Sequence, residues 1–90
     1  MIIEKADVVI SLNGRDKGKR FIVLEAQDDY MLLADGKIRR VEKPKRKKNK
    51  HLKLESKAGS CITEKLISGE SITNRELKRA LTVYSAARGE

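Results

Sequence analysis

Apolar blocks dominate the first third of the chain and then give way to charge. "VVISL" at 8–12, "FIVLEA" at 21–26 and "YMLLA" at 30–34 are β-branched or aliphatic runs, long enough for strands and too short for core helices. "QDD" after the second block is a turn signal, and Asp35-Gly36 after the third is a hairpin signal, because a tight primed turn needs positive φ. It leads into "KIRRV" at 37–41, with Ile38 and Val41 as its apolar members. "HLKLE" at 51–55 alternates Leu52 and Leu54 as a fifth short strand. Five short strands joined by tight turns predict a mainly β fold built on a small barrel. The strands carry consecutive apolar residues rather than clean alternation, so both of their faces want cover.

Beyond residue 55 the period changes. Ser60 caps a short helix over about 60–68 that carries Ile62, Leu66 and Ile67 and is stopped by Gly69. Thr73 and Glu76 have the spacing of a capping box, and Ile72 stands where a staple to Leu77 belongs. From there Leu77, Ala80, Leu81, Tyr84 and Ala87 share one helical face over about 74–87, with Lys78, Arg79 and Arg88 off it. A stripe of this kind is a packing surface, so the helix is expected on the barrel. The expected organisation is a barrel over residues 1–55 and a C-terminal helical extension over 56–90.

Charge then narrows the function. The 90 residues hold 21 Lys and Arg against 13 Asp and Glu, a net charge of +8. Residues 37–53, "KIRRVEKPKRKKNKHLK", contribute ten basic residues against Glu42 alone, leaving eleven basic and twelve acidic residues elsewhere. The positive field therefore comes from one segment, which points to a polyanionic partner, nucleic acid before anionic membrane. Pro44 interrupts the segment where a strand would have to end, so the lysines after it are expected on an exposed loop. No stretch approaches the roughly 20 apolar residues of a membrane span. "MIIEKADVVI" does not read as a secretory signal. Cys61 is unpaired, which fits a reducing, cytoplasmic setting.

Catalytic chemistry finds little to work with. The chain has one cysteine and one histidine, no metal-ligand spacing, and an Asp28-Asp29 pair that reads as turn-forming. No enzyme, cofactor, metal or small-molecule substrate is expected. Phe21, Tyr30 and Tyr84 are the only aromatics, too few for a base-stacking platform, so recognition should rest on phosphate and shape.

"NGRDKGKR" at 13–20 comes close to a nucleotide-binding loop. That loop needs G-x-x-x-x-G-K followed by Ser or Thr, so that backbone and lysine hold the phosphates and the hydroxyl holds magnesium. Gly14 and Gly18 are one residue too close, and Arg20 follows Lys19 where the hydroxyl should be. The loop also joins two strands, with no helix after it. ATP binding is excluded. What remains is a glycine-containing basic loop, with Arg15, Lys17, Lys19 and Arg20 opposed only by Asp16.

Hydrophobic strand, basic glycine loop, hydrophobic strand: this pattern over residues 8–34 resembles the KOW motif of ribosomal and transcription-elongation proteins, with Gly18 at the motif's glycine. The longer stretch "GRDKGKRFIVLEAQDDYMLLADGKIRRVEKPKRKKNKHL" resembles bacterial KOW-domain RNA-binding proteins related to the eukaryotic-type large-subunit ribosomal protein L-fourteen-e. A glycine is common at the start of the first strand in that group, where this chain has Ala6-Asp7. The resemblance covers roughly the first 55 residues and implies an SH3-like barrel on ribosomal RNA and the ribosome. It implies phosphate contacts from Gly14, Arg15, Lys17, Gly18, Lys19 and Arg20 in the loop. In the basic segment it implies them from Arg39, Arg40, Lys43, Lys45, Arg46, Lys47, Lys48, Lys50 and His51. Two other readings stay open. One is a protein-interaction adaptor, the other DNA binding through residues 60–87 as a helix-turn-helix.

Overall fold

The computed structural model describes residues 2–87, and side chains through residue 83. Its strands are β1 (Asp7–Ser11), β2 (Arg20–Ala26), β3 (Tyr30–Ala34), β4 (Lys45–Lys48) and β5 (Leu52–Lys57). A 3-10 turn, Asn49–His51, joins β4 to β5, and helices α1 (Ser60–Ser68) and α2 (Asn74–Ala87) follow. All five strands form one antiparallel sheet in the order β4-β3-β2-β1-β5.

Because every pairing is antiparallel, β4 and β5 both run in the direction of β2. A hydrogen-bonded seam between them would be a parallel pair, which needs a crossover of a dozen residues or more. Only the three-residue turn is available. The sheet therefore stays open between β4 and β5, and the closed barrel expected from the sequence is corrected to a curled open sheet. Curling is required, since a flat sheet would set its outer strands about 19 Å apart and a three-residue 3-10 turn rises only about 6 Å. Register shifts at Val8/Val9 and Val23/Glu25 supply the extra bend.

Both faces are covered. On one, Val9, Phe21, Val23, Met31, Leu33 and Leu52 pack with Ile3. On the other, Ala6, Val8, Ile22 and Ala34 pack against Ala58, Ile62 and Leu66 of the α1 region and Leu77 of α2, with Ile72, Ala80 and Leu81 alongside. The helical segment thus shares a core with the strands. Tyr84, Ala87 and Arg88, placed on or off the stripe by sequence, lie outside the residues whose side chains are described. The capping box forms as expected: the Glu76 N–H donates to Thr73 Oγ1 at 3.1 Å, and the Thr73 N–H donates to Glu76 Oε1 at 3.0 Å. Gly69 ends α1, while Gly59, not Ser60, is its N-cap.

The expected strand at 37–41 does not exist. Asp35 and Gly36 donate their N–H groups to the Arg39 carbonyl, and the Asp35 carboxylate accepts from the N–H groups of Lys37 and Arg39 at 2.8 and 2.9 Å. The Val41 N–H goes to Asn74 Oδ1 at 2.7 Å. With these backbone groups spent on a local turn and on α2, too few remain for a ladder. The fourth strand is "KRKK" instead. Pro44 precedes it, a position a strand tolerates because the missing N–H lies outside the ladder.

Candidate nucleic-acid interface

The register puts the 12–19 loop and the 35–44 loop at the same end of the sheet, since the start of β2 pairs with β1 on one side and with the end of β3 on the other. Between them opens a cleft of about 310 Å³, lined by Arg15, Asp16, Lys19, Phe21, Asp35, Ile38, Arg39 and Lys45. Four cations from three separate sequence stretches meet there.

The 12–19 loop is held by its own backbone. Gly18 donates to the Ser11 carbonyl at 2.8 Å, Lys19 to the Asp16 carbonyl at 2.9 Å, and Ser11 to the Lys19 carbonyl at 3.0 Å. Gly14 and Gly18 take φ of +80° and +86°, which side-chain-bearing residues resist. This winding turns Asp16 inward. Its Oδ1 accepts from the Ser11 hydroxyl at 2.8 Å and from Lys47 Nζ at 3.1 Å. Lys45 Nζ stands 3.0 Å from Oδ2 as an ion-pair contact. Burial pushes the Asp16 carboxyl up, but Lys45, Ser11 and Lys47 together hold it well below the usual carboxylate range. The one acid of the loop is thus neutralised beneath it, and Arg15, Lys17 and Lys19 are left exposed at the tip.

Strand alternation divides the lysine run. Lys45 and Lys47 sit opposite Leu33 and Met31, whose side chains are buried on the face away from the helices. Lys47 is buried at 9% exposure and also donates to the Asn13 carbonyl at 3.1 Å. The expectation of a uniformly exposed run is therefore corrected: Lys47 clasps the loop and Lys45 reaches the cleft. Arg46 and Lys48 project from the other face, the Arg46 guanidinium carbon 4.0 Å from the Tyr30 ring centroid and Lys48 Nζ 5.8 Å from it.

The remaining sequence-predicted residues scatter. Arg20 is ion-paired with Glu55. Arg40 lies 3.4 Å from Glu42, Lys43 is exposed, and Lys50 lines a separate shallow cleft with Leu12, Lys53 and neighbours. His51 contributes a backbone carbonyl to the Leu12 N–H at 2.9 Å. On the far side of the 35–40 loop is a further cleft of about 590 Å³, lined by Gly36, Arg40, Asn74, Arg75, Lys78, Arg79 and Thr82. Arg75, Lys78 and Arg79 were not among the sequence-predicted contacts. Their signal was the i, i+3, i+4 spacing of cations opposite the Leu77 stripe. No family model matches this sequence, and no curated protein matches it.

Proposed function

We propose that this protein binds structured RNA, ribosomal RNA foremost, as a ribosome-associated protein of the KOW type with an SH3-like β architecture. The carrying observation is the cleft in which Arg15, Lys19, Arg39 and Lys45 converge while both of its carboxylates are occupied by the protein itself. A cleft in which four cations outnumber two carboxylates, one of them ion-paired to lysines, attracts a phosphate chain. Two backbone details support the KOW reading. Gly18, at the motif's glycine, holds φ +86°, and Ala6, where the group commonly has glycine, holds φ +74°. The bound chain is read by phosphate and shape, since the one aromatic lining the cleft among the described residues, Phe21, is buried.

The test is binding of the full chain to a ribosomal RNA fragment across a salt series, beside unpaired RNA and duplex DNA. With about five phosphates engaged, log K falls against log salt with a slope near −3.5 to −4.5. R15Q/K19Q/R39Q flattens that slope by about 2–3 and weakens binding at every salt concentration. A wild-type slope near zero, or tighter binding of duplex DNA than of the RNA, overturns the reading.

A further inference from the structure

The 36–40 loop is a ridge with a basic cleft on each side. Consecutive residues serve the two: Arg39 lines the first cleft, while Arg40 lines the second together with Arg75, Lys78 and Arg79. The α2 cations are exposed, no carboxylate among the described residues lines their cleft, and nearby Glu42 is held by Asn74 Nδ2 at 2.9 and 3.0 Å as well as by Arg40. Ridge and helix are locked together. The Val41 N–H donates to Asn74 Oδ1, and Gly36 lies so close to α2 that a Cβ there would stand 2.1 Å from the Asn74 carbonyl oxygen.

We propose that the second cleft grips a second phosphate backbone, so that the protein straddles an RNA duplex with one strand on each side of the 36–40 ridge; this rests on the RNA-binding reading above. Two phosphate-binding clefts at a fixed separation suit a partner whose backbones are themselves held at a fixed separation. A flexible single strand has no such spacing. Among the described residues no aromatic lines the second cleft, so those residues offer no stacking to unpaired bases. Double-stranded RNA is recognised through phosphate and 2′-hydroxyl contacts across its wide minor groove, and the exposed ridge residue Lys37, between the Gly36 of one cleft and the Ile38 of the other, is placed to face it.

Fluorescence anisotropy with the full chain tests this, using a labelled RNA hairpin with a stem of about 16 base pairs and an unpaired RNA of equal length. Wild type prefers the hairpin. R75Q/K78Q/R79Q weakens hairpin binding roughly tenfold or more and flattens its salt slope by about 2–3, while unpaired RNA changes by less than about threefold. R75K/R79K, which keeps the charge, retains the preference. Hairpin binding by the glutamine variant that matches wild type, or equal weakening for both RNAs, overturns the second cleft and leaves the first standing. Wild-type protein that binds neither RNA overturns the RNA reading itself, and this inference with it.

Discussion

Turned inward beneath the glycine loop, the Asp16 carboxylate meets one hydroxyl and two lysines from β4, and removing its charge would leave Lys47 buried without a counter-ion. Asp16→Asn is expected to cost about 3 kcal/mol at neutral pH, read by urea unfolding. The pH dependence has a definite sign. The folded-state pKa is depressed from the ordinary 3.8, so the stabilisation is complete above about pH 4 and is lost as pH falls through the folded value. Wild type should therefore lose its advantage over Asp16→Asn progressively from about pH 4 toward pH 2; a constant gap over that range would contradict the assignment. Ala6 poses a different question, since it holds φ +74° with its methyl fully buried. Glycine there would relieve about 1–2 kcal/mol of left-handed strain. Against that stand about 0.4–1 kcal/mol for a freer unfolded chain and about 0.8 kcal/mol for the lost methyl burial. The terms nearly cancel, so Ala6→Gly should shift stability by less than about 1 kcal/mol. Ala6→Val adds bulk and β-branching in the same conformation and should cost about 2 kcal/mol or more in thermal or urea unfolding.

At the scale of elements, the contact of the 36–40 loop with α2 is the tightest test of packing. Gly36→Ala combines φ +79° with a Cβ 2.1 Å from the Asn74 carbonyl oxygen, a separation only backbone movement can relieve. It should destabilise by more than the 1–2 kcal/mol of left-handed strain alone and should speed amide exchange at Val41, whose N–H bonds Asn74. Unchanged exchange there would mean that loop and helix are not locked. The first three strands were legible in the sequence because Val, Ile, Phe and Leu in short runs have one economical use, a strand with two covered faces. β4 was not legible, because "KRKK" alternates inward and outward with the same residue type on both sides and shows no hydrophobic period. The 37–41 segment misled for the converse reason: Ile38 and Val41 look strand-like, but Ile38 is 67% exposed and the Asp35 carboxylate takes the neighbouring N–H groups. Of the site, the loop cations could be read directly, since glycine spacing and charge coincide there. The α2 cations could not be joined to them, because only the docking of Leu77 and Asn74 carries that face to the ridge.

Over the whole molecule, a net charge of +8 resolves into cations of two kinds. Some are committed to internal partners, such as Lys47 and Asp16 or Lys65 and Glu76, where the Lys65 contact and the Thr73 N–H bring the Glu76 carboxyl down to about 2. Others, on the 12–19 tip, the ridge and α2, face solvent. β4 belongs partly to each kind and is also a sheet edge, with one row of backbone groups that no strand among the described residues pairs. An unpaired row of that sort is a template for another chain. If two copies met along β4, Arg46 and Lys48 of each would be forced close to like charges. Arg46→Thr/Lys48→Thr removes that repulsion and adds β propensity. The double variant should self-associate with rising concentration in sedimentation velocity, while wild type stays at one sedimentation coefficient over the same range. A variant that remains as dispersed as wild type would show that the charges do not guard the edge. A polyanion lying on Arg46 and Lys48 cancels the same repulsion, so crowding of many copies along one long RNA is where strand-to-strand aggregation of this protein would begin.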